Sequence, residues 1–500
     1  MKRYLQLFII LLVSTLVVLS GCDLLGGDDT TDDTDDALAV GEASPDVDGY
    51  TVTYVDEAGG YFAEKDDDDT QVLVWGRFEE DIDFTNDKTW ILGNAVFIGN
   101  NAQDPDNAAG NKLTIEEGTL IKGEVDPDVP GALIITRGSD ISAVGTASSP
   151  IIFTSLNPTG SRAAGDWGGI IINGYARVQG GGGYKEGEGG TGQYGGGTGD
   201  FLNDADNSGT LKYVVVQFAG TLFSADNELN GIAFQGVGSG TTVEYIQVHR
   251  NADDGIEFFG GSVQVKYYVG TGNQDDSLDG DDAWNGSAQH VILQHYDDDA
   301  GSLIEADGDA EEAGFPPANA YLANITAIGS TASSNGFNFK SDADYDVFNS
   351  LVAMPAAAGV PVVLDVDPDD GTTPIATIDY AGTLAVSAPD SAFTDVADLS
   401  TGFDLTQDFP SDGSNNTTRS KAITDANLAS GAIASKGTDV WSFAFNFQPT
   451  AGTSVTITDA DSNTTGIQDP AGNTMDDTNY IGAYDGTDAW WDGWTSFPID

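Results

Sequence analysis

The feature that most constrains this chain is a repeat. Gly231-Ile232-Ala233-Phe234 recurs as Gly255-Ile256-Glu257-Phe258, as Ser277-Leu278-Asp279, as Ser302-Leu303-Ile304-Glu305 and as Gly336-Phe337-Asn338-Phe339. A second string precedes it: Leu211-Lys212-Tyr213-Val214, Val243-Glu244-Tyr245-Ile246 and Val265-Lys266-Tyr267-Tyr268. The middle copies stand 22 to 25 residues apart, and gaps of 32 to 34 read as coils carrying an inserted loop. From about Trp90 to Val362, short β-branched runs alternate with Gly, Asn and Asp, and no ten-residue helical stripe interrupts them. Repeats of this length with two or three strands and no helix predict an all-β solenoid, a parallel β-helix advancing ~4.8 Å per coil. A β-propeller wants four strands in repeats of about 40 to 50, which pairs of coils could imitate. A β-sandwich accounts less well for 64 glycines, which suit tight corners.

The N-terminus carries an address. Lys2 and Arg3 precede an apolar run from Leu5 to Leu19, too short at about 15 residues to span a bilayer, which needs about 20. Leu19-Ser20-Gly21-Cys22 follows and resembles the bacterial lipoprotein box, in which the cysteine is acylated and becomes the first mature residue. Cys22 is the one cysteine of the chain, so lipidation there leaves no thiol for disulfides, metal or catalysis. No later segment is long and apolar enough to span, so a membrane link rests on lipid, pointing to the cell envelope and the outer membrane, with surface exposure open.

Residues 23–49 mix acids and threonine with little that is apolar and read as a disordered tether. Residues 50–89 read as an N-terminal β cap, 90–362 as the β-helix, and 363–500 as a mainly β C-terminal region. Within that last region 422–434 could form a short helix, while Trp441 to Phe447 and Thr453 to Thr458 read as strands. The tail holds Trp490, Trp491 and Trp494 and is expected to cap the solenoid end, or to offer a carbohydrate platform. The glycine-rich stretch 178–209 has no phosphate-loop pattern. It reads as an excursion from the rod, or as a cover over a lateral groove with Tyr184 and Tyr194 as sugar contacts.

Charge excludes some partners. Eighty acidic residues face 18 basic ones, a formal net charge of -62, which repels nucleic acid and anionic headgroups alike. The excess is expected to serve both as a salt-screened, halophilic surface and as cation sites.

Several strings carry a family likeness: Leu113-Thr114-Ile115-Glu116-Glu117-Gly118-Thr119, Trp167-Gly168-Gly169-Ile170, Ala252-Asp253-Asp254-Gly255-Ile256-Glu257-Phe258-Phe259-Gly260-Gly261, and Tyr480-Ile481-Gly482-Ala483-Tyr484 through Gly493-Trp494. They resemble a family of large exported lipoproteins from Bacteroidetes and neighbouring phyla over roughly Thr89 to Phe497. The resemblance implies a right-handed β-helix of the pectate-lyase-like kind and supplies no catalytic residue.

The sharpest chemical cluster is acidic. Asp253-Asp254, Asp275-Asp276 and Asp298-Asp299 each sit shortly before the recurring Gly or Ser, so they are expected to stack along one edge, with Asp279, Asp281 and Asp282 following the second pair. Glu257, Glu305, Asp307 and Asp309 lie near equivalent positions. Carboxylates one coil apart repel unless a cation lies between them, and an all-oxygen set suits Ca²⁺. Abundant, turn-forming aspartate would produce such clusters too. His249, His290 and His295 lie in the same stretch but lack thiols for the usual zinc set. Tyr213, Tyr245 and Tyr267 are expected to stack, a structural role before a ligand-binding one.

Pectate-lyase-like rods pair Ca²⁺ with a basic side chain, and Arg250 with Lys266 is the combination here that resembles this. The expectation is therefore a non-enzymatic, Ca²⁺-stabilised lipoprotein serving adhesion, envelope structure or glycan binding. The alternative is an enzyme cleaving an extracellular polysaccharide.

Overall fold

A computed structural model describes residues 47–102, 110–125, 130–180, 182–199, 201–224, 227–296, 301–308, 318–330, 333–340, 343–348, 350–354, 362–367, 377–381, 384–387, 434–436, 441–443, 468–476, 478, 482–484 and 489–498. The expected signal, Cys22 and almost all of the expected tether lie outside them, as do the expected helix up to residue 433 and the expected strand at 453–458. Among the described residues no helix is long and apolar enough to cross a membrane.

The repeat folds as three parallel ladders. One runs through Ile82–Phe84, Lys112–Ile115, Asp140–Val144 and the first halves of Gly209–Gln217, Thr242–His249, Gln264–Thr271, Ser287–Gln294 and Tyr321–Ile328. The second halves of those long strands continue a ladder from Leu120–Gly123 and Ile151–Ser155. The third joins Ala132–Ile135, Gly169–Asn173, Ile232–Gln235, Ile256–Phe259, Leu278–Asp281, Ile304–Asp307 and Asn335–Lys340. The parallel β-helix expected from the repeat is thus what forms.

Its ladders start before residue 90 and pass residue 362. Gln71 already pairs with Thr89, and Val362–Asp367, Thr377–Ala381 and Leu384–Ser387 each pair one coil back. At the N-terminal end Tyr50–Val55 and Tyr61–Lys65 pair antiparallel, and Asp68–Phe78 joins them to the first coil. Tyr54 and Phe62 pack there against Phe78.

A single left-handed residue joins two ladders in each long strand. Tyr213, Tyr245, Tyr267, His290 and Asn324 stand at the same coil position with φ of 53, 58, 62, 59 and 52°. This region is unfavourable for bulky residues. Stacking accompanies it: consecutive Tyr213, Tyr245, Tyr267 and His290 rings lie 4.4, 4.4 and 4.7 Å apart. The expected tyrosine stack is present, and it has a fourth member in His290.

Inside, like stacks on like. Val96, Leu133, Ile170, Ile232, Ile256 and Leu278 share one inward column, and Phe234, Phe258 and Trp284 stack at 5.5 and 4.0 Å. Gly280 takes the inward place beside that stack, where a Cβ would meet Trp284 at 3.0 Å. One expected alignment shifts. Ile304, not Leu303, stands one coil on from Leu278, since Asp279 pairs with Glu305. Ile304 and Ala306 then face the core, because a one-residue slip would turn the strand inside out.

The tail corrects another expectation. Its described part lies along the flank of the coil stack instead of on its end. The Gln217 and Gln247 amides donate to Ser496 O at 3.3 and 2.9 Å, Ala483 N–H donates to Thr326 Oγ1, and Trp494 packs edge-on against Tyr213 and Tyr245. His249 is sealed between Thr271 and Pro498, and burial pushes its pKa down to about 3, so it is neutral.

Phe258→Ala should remove the ring between Phe234 and Trp284 and lower stability by about 3–5 kcal/mol, read from denaturant melts of the protein lacking residues 1–22.

Candidate functional site

The outward column of the third ladder changes character along the rod. Phe97, Ile134, Ile171 and Ala233 are followed in register by Glu257, Asp279, Glu305 and Asn338. The apolar part is covered by the glycine-rich stretch, whose Val178 and Tyr194 pack on Ile134, Ile171, Ala233 and Phe259. That stretch is therefore a cover and not a free excursion. Buried Arg137 donates to Gly195 O at 3.1 Å and to Gln193 Oε1 at 3.0 Å, tying it down. Tyr194 is 3% exposed and its hydroxyl donates to Asp282 Oδ2 at 2.8 Å, which withdraws it from sugar contact. Lys185, from the same stretch, pairs with Asp282.

The acidic part is a ladder of carboxylates. Three groups each bring their oxygens within 4.8 Å: Asp253, Asp254 and Asp275; Asp254, Glu257 and Asp279; Asp276, Asp279 and Glu305. Asp276 N–H donates to Asp254 Oδ1 at 2.9 Å, so the first two expected pairs do stack in register. The third differs. Ser302 occupies the place one coil on from Asp276 and donates its N–H to that carboxylate. Asp298 and Asp299 lie outside the described residues, as does Asp309. Among the described residues Glu257 and Glu305 extend the ladder.

Burial and mutual repulsion dominate its electrostatics. Loss of solvent, then Glu257 and Asp276, raise Asp254; loss of solvent, then Asp279 and Asp281, raise Glu257. Asp276 and Asp279 are raised in the same way, first by burial and then by Glu305. Asp281 is pushed up to about 7, again by burial first, then by Asp282. Cations from the chain serve the two ends: Lys340 sits 2.7 Å from Glu305 and 3.7 Å from Asp307, and Lys185 holds Asp282. Among the described residues no ion pair joins Asp254, Glu257, Asp276 or Asp279 to a basic side chain.

The two basic residues singled out in the sequence each have a partner outside the acid ladder. Arg250 places its guanidinium over Tyr296, 5.7 Å from the ring centroid. Lys266 is on the flank beneath the tail, 2.7 Å from Asp476, which also meets His290 at 3.2 Å. The histidines are dispersed: His295 is buried against Ser333, and the cation-capable groups among the described residues contain no histidine. Trp491 and Trp494 are buried in the tail's packing, which leaves no platform of three rings. Lys185 and Lys340 are the basic groups that sequence reasoning missed. Lys340 was legible only as the residue after the Gly336–Phe339 repeat; Lys185 comes from a stretch with no repeat to align.

A parallel β-helix with a buried outward acid ladder is the class that fold and site define. Residues 76–448 match the family described as a pectate-lyase like beta helix domain, and the chain belongs to it. No curated protein and no solved structure matches the chain.

The raised carboxyls make a prediction about pH. At these carboxyls the folded state binds more protons than the unfolded one, so their contribution to stability is full below the unfolded value near 4 and falls as pH rises through the folded value, about 7 for Asp281, against the smaller opposite contribution of the buried, neutral His249 and His295. Chelator-treated protein at fixed high salt should melt at a lower temperature at pH 8 than at pH 5. Added Ca²⁺ should shrink that difference, which scanning calorimetry reads directly.

Proposed function

We propose that the protein is an exported, lipid-anchored β-helix of the bacterial cell envelope, a Ca²⁺-supported scaffold for adhesion or glycan binding without catalysis. This deepens the Bacteroidetes-type lipoprotein resemblance, with Cys22 as the acylated residue and the outer membrane as the address. The observation that carries the non-catalytic reading is the position of Lys266, which is held under the tail by Asp476 and so does not supply the base of the expected pairing of metal and base. The -62 charge adds to it, since an anionic polymer would approach against a strong field.

The enzyme alternative, a polysaccharide lyase or hydrolase, is favoured by a different observation. Lys185 and Lys340 do border the ladder, and each is already held by a carboxylate.

Cys22→Ser should move the protein from the membrane pellet to the soluble fraction in its native host; retention in the pellet would remove the anchor from this reading. Mature protein should retard neutral or uronate glycans in affinity electrophoresis while producing no unsaturated or reducing ends. Release of such ends, abolished by Lys185→Ala, would replace the scaffold with the enzyme.

A further inference from the structure

Asp254, Glu257 and Asp279 form a part of the ladder that no ion pair among the described residues reaches, although Lys340 acts on Asp279 from a distance. Asp254 and Asp279 are each 7% exposed, and their oxygens come within 4.8 Å of Glu257. A second kind of observation comes from unpartnered buried oxygens at the cluster and at the cover beside it. Asn230, 2% exposed, precedes the strand one coil back, donates its amide to Glu257 Oε2 and leaves Oδ1 without a partner. Gln235 Oε1 and Thr191 Oγ1 are likewise buried without partners, both against Gly187 of the glycine-rich cover. The next residue, Glu188, acts electrostatically on Glu257. Every one of these unpartnered atoms is an oxygen. A buried acceptor left unmatched costs free energy, and three clustered carboxylates cost more. A hard cation answers both at once.

We propose that Asp254, Glu257, Asp279 and Asn230 Oδ1 form a closed structural site for one divalent cation of the Ca²⁺ class, which fastens the glycine-rich cover to the rod. The site rests on the cation-supported reading above but differs from a substrate-facing metal. Asp254, Asp279 and Asn230 are buried, Glu257 is half-buried, and Glu188 in the turn Gly187–Gly190 acts on Glu257, so the cation braces two parts of the fold and presents no open position to a polymer. Oxygen-only ligands at this spacing favour Ca²⁺ over Mg²⁺, whose octahedron is stricter.

The test uses mature protein, stripped with chelator and kept in high NaCl, titrated with Ca²⁺ alone by calorimetry, alongside limited proteolysis of segment 178–209. The expected result is a saturable site whose filling raises the melting temperature and protects that segment from cleavage. Glu257→Gln should stabilise the stripped protein, because it removes a like charge, yet lose the Ca²⁺-dependent rise and the protection. Asn230→Ala should weaken binding while leaving the Glu257 carboxylate in place. Asp253→Asn, at the more open end of the ladder, should keep both responses. Unchanged binding in Glu257→Gln, or saturable binding that leaves the segment as cleavable as before, would overturn the site. Calcium stabilisation that survives Glu257→Gln but not Asp253→Asn would put the cation on the outer Asp253–Asp275 edge and spare the wider cation-supported reading.

Discussion

Each coil of this chain is held to the next by parallel backbone hydrogen bonds in fixed register, and everything else follows from that register. Because side chains alternate faces, a register that puts Ile256 over Leu278 also puts Glu257 over Asp279. Core and site are therefore set by one constraint. Stabilising the inner column by stacking apolar residues obliges the outer column to stack whatever the repeat carries.

For aromatic and aliphatic residues such stacking is favourable, as the Phe234–Phe258–Trp284 and Tyr213–Tyr245–Tyr267–His290 columns show. For carboxylates it is not. The acid ladder concentrates repulsion where burial already penalises charge, and Lys185 and Lys340 relieve only its margins. The central acids are the place where the fold departs from what stability alone would select, and such departures mark function.

Two segments far apart in sequence close the sides. The glycine-rich cover takes the apolar part of one outward column, and the tail takes the flank that carries the tyrosine column. Both shield outward apolar or aromatic surface that a regular repeat would leave in water. Lys266 and His290 meet Asp476 under the tail, which is why a basic residue that looked available from its neighbours in sequence is spent on packing.

The repeat alone determined the parallel β-helix, the tyrosine stack and the stacking of Asp254 with Asp276, because strings that recur at coil length must fall above one another. It did not determine the partner of that pair on the next coil. The coil length changes there, and only the pairing of Asp279 with Glu305 decides that Ser302 and Glu305 come into line with Asp276 and Asp279. Nor could sequence show where Arg250 points, since it follows the left-handed Tyr245 in its coil and is itself left-handed, or that Lys266 meets Asp476, 210 residues away in the chain. The cover and the tail have no repeat to align, so their contacts with the rod, and with them the enclosure of Glu257, were decided by tertiary structure: by which apolar surface remained to be buried.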